Sequence, residues 1–134
     1  MRVVAGIIFD SENRILITRR AKGQSRELLW EFPGGKVEEG ESDEEALKRE
    51  IREELCLEID VLSFFTQVNH SYPDLNIELV AYLCKLKGGN ICLTVHQEYK
   101  WIEPKDVLSY SLAKADKKIA EHIIKRLIHK KEDS

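Results

Sequence analysis

The stretch from Gly34 to Leu57 limits what this chain can become more than any other. It opens as a glycine loop, Gly34-Gly35-Lys36, and runs on into a segment crowded with carboxylates, nine acids against four bases between Lys36 and Glu54. Ser42 followed three residues later by Glu45 is a capping box, which predicts a helix starting just after Ser42. At about 100° per residue, Leu47, Ile51 and Leu55 fall on one stripe and should face a core. Glu50, Glu53 and Glu54 cluster beside that stripe, at the i, i+3, i+4 spacing that brings side chains together. Like charges so placed repel by a few tenths of a kcal/mol per pair. A solvated acidic face is the plain alternative, but a face chosen only for solubility would interleave lysines. A hard divalent cation reverses the sign of the energy, because Mg²⁺ accepts carboxylate, water and phosphate oxygens together.

The 134 residues suffice for one domain with a real core, residues 1–134, the last four (131–134) read as a frayed tail. A hydrophobic share of 43% and a charged share of 34% describe a soluble globular protein. The net charge of −3 leaves no basic footprint for nucleic acid. Apolar runs are too short to span a bilayer and no signal pattern precedes Val3, so a cytoplasmic protein without membrane contact, monomer or homodimer, is expected. Cys56, Cys84 and Cys92 form neither a disulfide framework nor a CxxC pattern, and are read as buried thiols in a reducing compartment.

Val3–Phe9, the turn Asp10–Asn13 and Arg14–Arg19 predict a β-hairpin. Ala21–Glu27 reads as a loop, and Trp30 as core. Asp60–Gln67, extended through Val68–His70, is a strand. It is followed by the turn Tyr72-Pro73-Asp74 and a long strand, Leu75–Lys87, with Ile77, Leu79, Ala81 and Leu83 on one face. Gly88-Gly89-Asn90 turns the chain into a short strand, Ile91–Val95. Tyr99–Glu103 is another, ended by Pro104, with one helical turn over Lys105–Leu108. A last amphipathic helix takes Asp116 as N-cap and buries Ile119, Ala120, Ile123, Ile124, Leu127 and Ile128. Lys125, Arg126, Lys130 and Lys131 near its end suit the helix dipole. Strands and helices in this order indicate an α+β fold, a mixed sheet flanked by helices.

Gly35, Glu41, Arg49-Glu50-Ile51, Glu53-Glu54 and Leu57 resemble the Nudix box, GX5EX7REUXEEXGU with U apolar. The one departure is Cys56, where the pattern has glycine at a helix end, costing about 1 kcal/mol of backbone strain but no metal ligand. The resemblance implies a Nudix-type α/β/α sandwich and hydrolysis of a phosphoanhydride bond with Mg²⁺ or Mn²⁺. It makes Glu50, Glu53, Glu54 and the Gly34 carbonyl metal ligands. Arg49 orients a glutamate by ion pairing, and Glu41 orders the loop or helps bind a second metal. Glu53 is assigned as the base that activates the attacking water, with Glu50 fitting nearly as well.

Thr18-Arg19-Arg20-Ala21, Glu31–Lys36, Tyr72-Pro73-Asp74 and Tyr110–Asp116 resemble the MutT and CTP-pyrophosphohydrolase branches. These cleave nucleoside 5′-triphosphates, often modified ones such as 8-oxo-dGTP, to monophosphate and pyrophosphate. By that resemblance Arg20, Glu31, Phe32, Pro33, Gly34 and Asp116 bind a small-molecule nucleotide. Asp116 stands where MutT reads the purine with asparagine; ionised, it would prefer an exocyclic amine such as cytosine's to guanine's O6. Val95 replaces a loop carboxylate of the MutT branch, leaving Glu98 as the nearby substitute, and His96 is read as a loop histidine rather than a ligand. Pro73, sixteen residues past Leu57, admits an ADP-ribose pyrophosphatase as the rival enzyme. A non-catalytic nucleotide or metal sensor is the rival of another class.

Overall fold

The computed structural model describes residues 1–129. Strand β1 (Arg2–Phe9) lies at the centre of a seven-stranded mixed sheet. On one side it pairs antiparallel with β2 (Ile15–Arg20) and β4 (Gly34–Lys36), and on the other it runs parallel to β6 (Leu75–Gly88). Beyond β2 lie β3 (Trp30–Glu31) and β7 (His96–Ile102); beyond β6 lies the edge strand β5 (Glu58–Tyr72). Helix α1 (Asp43–Leu55) precedes β5. A 3₁₀ turn at Pro104–Ser109 leads toward α2 (Lys114–Ile123), which continues as π-helical turns over Ile124–His129. Among the described residues no helix is long and apolar enough to cross a membrane.

Alternation along β1 splits the core into two layers. Val4 and Ile8 join Leu47, Ile51 and Leu55 of α1, while Ala5 and Ile7 join Ile119, Ala120 and Ile123 of α2. A strand buried on both faces reads as a continuous apolar run, and this one does. The layers are helix, sheet, helix, as the sequence predicts. The hairpin, the α1 cap and the long β6 agree as well: the Ser42 hydroxyl accepts from Glu45 N at 3.1 Å. Leu79 and Ala81 are buried on one face of β6, with Ile77 and Leu83 packed beside them. Trp30 is core.

Three expectations need correction. Ile91–Val95 is not a strand; its backbone is drawn to the end of α1, Cys92 N donating to Leu55 O at 3.0 Å and Thr94 N to Glu54 O at 3.2 Å. Strand β7 therefore starts at His96, three residues earlier than expected. Cys56 and Cys92 are joined as a disulfide, and only Cys84 remains a buried thiol, its pKa pushed up to about 12 by burial. Asp116 is not the N-cap of α2, which is Ala113; it lies in the first turn, third from the start of the helix. The expectations for Lys130, Lys131 and the frayed tail lie outside the described residues.

Candidate active site

The glycine loop is pinned from two sides. Gly6 N donates to Pro33 O at 2.8 Å, and a Cβ on Gly34 would strike the Val4 carbonyl of β1. A Cβ on Gly35 would fall on the carboxylate of Glu50. Glycine at these positions thus lets β4 lie against both the sheet and an acidic side chain of α1.

Arg49 is the hub of the α1 side. Its Nε and Nη2 donate to the two oxygens of Glu41 at 2.6 and 2.8 Å, a bidentate pair. Nη1 donates to Glu50 Oε1 at 2.9 Å and Glu53 Oε2 at 3.2 Å, and Nη2 to the Lys36 carbonyl at 3.1 Å. Glu41 also accepts from Glu38 N at 3.0 Å, so one carboxylate orders the loop and grips the arginine. The Arg49 guanidinium, aided by that N–H, holds the Glu41 carboxyl down to about 2.

Glu54 has no such partner. It points into a cleft of about 340 Å³ also lined by Arg20, Arg26, Glu31, Phe32, Gly34, Gly35, Tyr72, Val95, His96 and Asp116. Burial first, then the charge of Glu50 and a side-chain hydrogen bond with it, with Glu31 and Glu53 adding, pushes its carboxyl up to about 8. Among the described residues no three His, Cys, Asp or Glu side chains converge on a single point. Arg49 engages one oxygen each of Glu50 and Glu53, leaving the second oxygen of each outside its grip. The donor chemistry fits a hard divalent ion: three carboxylates on adjacent turns, one of them without a cation partner, with Gly35 packed against Glu50.

A second cluster lines the same cleft. Arg20 Nη1 donates to both oxygens of Glu31 at 3.3 Å, and His96 Nε2 lies 3.3 Å from Glu31 Oε1. Asp116, 6% exposed, accepts from Phe32 N through Oδ1 at 2.9 Å. The clamp that sets this contact is backbone: Trp30 N to Ser111 O at 2.8 Å and Ala113 N to Trp30 O at 2.9 Å. Burial, then the charge of Glu31, pushes Asp116 well above the usual carboxylate range, more than the Phe32 N–H pulls it back. The preference for an amine assumed an ionised Asp116, and this environment works against that form.

Of the residues assigned from sequence, Arg20, Glu31, Phe32, Gly34, Glu54 and Asp116 line the cleft. Glu41, Arg49, Glu50 and Glu53 form the network beside it, and Pro33 is buried behind it. Glu98 does not replace the missing carboxylate; it is taken by Arg19 Nη1 at 2.9 Å. His96 is no loop residue but the buried start of β7. Sequence reasoning also misses Arg26, which lies 4.3 Å over the Tyr72 ring and 3.1 Å from Asp74. Only the β2–β7 register, which sets Arg20 opposite His96, exposes such pairings.

Comparison with known proteins accords with this geometry. Residues 1–127 match the NUDIX domain. The chain is 37% identical over 116 residues to the CTP pyrophosphohydrolase of Escherichia coli (strain K12), covering 87% of this chain and 85% of that protein. It is 34% identical over 128 residues to the 8-oxo-dGTP diphosphatase of Buchnera aphidicola subsp. Schizaphis graminum (strain Sg), covering 96% of each. The solution structure of the Escherichia coli ORF135 protein matches with a TM-score of 0.83 and 34% identity, over 96% of this chain and 91% of that one. With the acidic helix, its arginine hub and the adjoining cleft in one layered fold, the chain belongs to the Nudix hydrolases, enzymes that cleave phosphoanhydride bonds with the help of divalent metals such as Mg²⁺.

Proposed function

We propose that the chain hydrolyses nucleoside 5′-triphosphates to monophosphate and pyrophosphate, with oxidised guanine nucleotides such as 8-oxo-dGTP as the preferred class. The observation that carries this reading is Glu54, a carboxylate without a cation partner, pushed up to about 8 inside a cleft it shares with Arg20 and the glycine loop. Mg²⁺ or Mn²⁺, held by Glu50, Glu53, Glu54 and the Gly34 carbonyl, would neutralise the phosphates and make phosphorus open to attack. Arg49 keeps Glu50 and Glu53 in place, and Glu41 keeps Arg49 in place. Glu53 takes the proton of the attacking water, Glu50 being the alternative. Burial and the charge of Glu31 favour the protonated form of Asp116, which would donate to a base carbonyl such as guanine's O6.

The test is a screen of pyrophosphate release over normal and oxidised nucleotides with Mg²⁺. Pyrophosphate and 8-oxo-dGMP from 8-oxo-dGTP are the expected products. Release of AMP from ADP-ribose, with no triphosphate cleaved, would overturn the assignment.

A further inference from the structure

The end of α1 that carries Glu53 and Glu54 is closed by residues the hydrolytic reaction does not use. A helix leaves its last four carbonyls without intrahelical partners. In α1 these belong to Arg52, Glu53, Glu54 and Leu55. Cys56 N donates to the first at 3.0 Å, and segment 91–95 serves the rest. The Thr94 hydroxyl is shared between Glu53 O and Glu54 O, each at 3.3 Å. Thr94 N donates to Glu54 O at 3.2 Å and Cys92 N to Leu55 O at 3.0 Å. Ile91 and Leu93 meanwhile pack against the α1 layer of the core. The segment then delivers Val95 and His96 to the wall of the cleft. One stretch of chain thus caps the helix turn bearing two site carboxylates and forms part of the site itself.

Cys56 ties this stretch down covalently. It holds a left-handed conformation, φ 60°, at a helix end where glycine is free of strain and cysteine is not. Its partner Cys92 lies 36 residues along the chain, with the two Cα atoms 5.6 Å apart. Both residues are exposed, so a thiol in solution reaches the bond. Cys84, by contrast, is wholly buried in the core. Exposed disulfides are the labile ones, open to exchange with thiols.

We propose that the Cys56–Cys92 pair is a redox switch on the hydrolytic site. Joined, it fixes segment 91–95 as cap of α1 and wall of the cleft; opened, it lets both loosen. This rests on the cleft being the site of hydrolysis. The opening step is exchange with a low-molecular-weight thiol. A thiolate attacks one sulfur, the S–S bond breaks, and the departing cysteine thiolate takes up a proton. A second thiol resolves the mixed disulfide, so the pair gains two electrons and two protons while the reductant leaves as its own disulfide. Hydrogen peroxide reverses the change: the two thiols form the S–S bond, and the O–O bond breaks to give two waters. The backbone hydrogen bonds survive reduction, so the site is turned down rather than off.

Amide hydrogen exchange by NMR, on wild type in oxidised glutathione and then in dithiothreitol, tests this without substrate. Protection of the Cys92 and Thr94 amides should fall on reduction at least about tenfold more than that of β1, a fraction of what a cross-link over such a loop contributes. In the same buffers kcat/KM for pyrophosphate release should fall at least about threefold, a small part of what misplaced site groups can cost. Cys92→Ser should sit at the reduced level in both buffers, while Cys84→Ala should switch as the wild type does. Equal protection in the two buffers, with the bond's state verified by mass spectrometry, overturns the proposal. So does a kcat/KM that holds while the amides loosen, or a Cys92→Ser protein that still responds. A Cys56–Cys92 bond that neither oxidised glutathione nor hydrogen peroxide forms also overturns it. If the amides loosen on reduction but no nucleoside triphosphate is cleaved, the function proposed above falls and the clasp stands.

Discussion

At the α1 end of the cleft Arg49 gathers Glu41, Glu50 and Glu53 at 2.6 to 3.2 Å, and Glu53 remains 60% exposed. At the other end Arg20, Glu31, His96 and Asp116 meet under cover, with His96 and Asp116 almost wholly buried. The first cluster has an internal cation but leaves Glu54 without one. The second pairs most of its charges and leaves a single ring nitrogen without a partner. Each cluster is satisfied except for one group, and the two groups differ in kind: a carboxylate crowded by other carboxylates, and a buried ring nitrogen.

Removing the unpaired carboxylate should break the comparison most sharply. Glu54→Gln should lower kcat by at least ~10²-fold, as expected for loss of a major charge-stabilising group, read by pyrophosphate release from a folded protein. Unimpaired turnover would refute the ligand assignment. Next in size is the clasp between α1 and the loop leading to His96. In the oxidised protein Cys92→Ser opens a cross-link spanning 36 residues, and stability in urea should fall by about 2–4 kcal/mol. The hydrogen bonds of Cys92 N to Leu55 O and Thr94 N to Glu54 O remain to hold the loop near its place.

Asp116 gives a smaller effect that separates packing from recognition. Asp116→Ala leaves the buried Phe32 N–H unpaired and should cost about 1–3 kcal/mol of stability. Asp116→Asn keeps that acceptor and supplies an N–H donor, so if Asp116 reads a base carbonyl, turnover of 8-oxo-dGTP should stay within about threefold. Equal damage from both variants would remove Asp116 from base recognition.

The smallest effect is on pH dependence. The Glu54 carboxyl, facing Glu50, Glu31 and Glu53, is raised from 4.5 to about 8 in the folded chain. Between those values the folded state holds a proton that the unfolded chain has released. Without divalent ion, stability should therefore fall as pH rises through this window, and Asp116 acts in the same direction. Glu54→Gln should flatten that slope in thermal melts; an unchanged slope would show that Glu54 does not carry it.

The two ends also differ in how far the sequence discloses them. Glu41, Arg49, Glu50, Glu53 and Glu54 lie on one helix and its approach, where a 3.6-residue period converts spacing into neighbourhood. The glycine loop, the α1 cap and the two-faced burial of β1 are legible for the same reason, being local. Arg20, Glu31, His96 and Asp116 come from four elements brought together by the β2–β7 and β2–β3 pairings and the Trp30–Ser111 clamp. Nothing in the spacing of His96 announces that it will face Arg20. Asp116 illustrates the limit from the other side: an acid near a helix start reads as a cap, and only the tertiary clamp turns it toward Phe32 N. The loop 91–95 misleads for a similar reason, since its apolar residues suit a strand while its backbone partners lie on α1.

The central claim is that Glu54 and its neighbours hold a divalent ion together with a triphosphate. Its most direct test is titration of Mn²⁺, followed by electron paramagnetic resonance, into wild type and Glu54→Gln in the presence of a non-hydrolysable nucleoside triphosphate. The account predicts bound Mn²⁺ in the wild type and affinity at least about tenfold weaker in the variant, as expected for losing one carboxylate ligand. No bound ion in the wild type, or equal affinity in both, would contradict it.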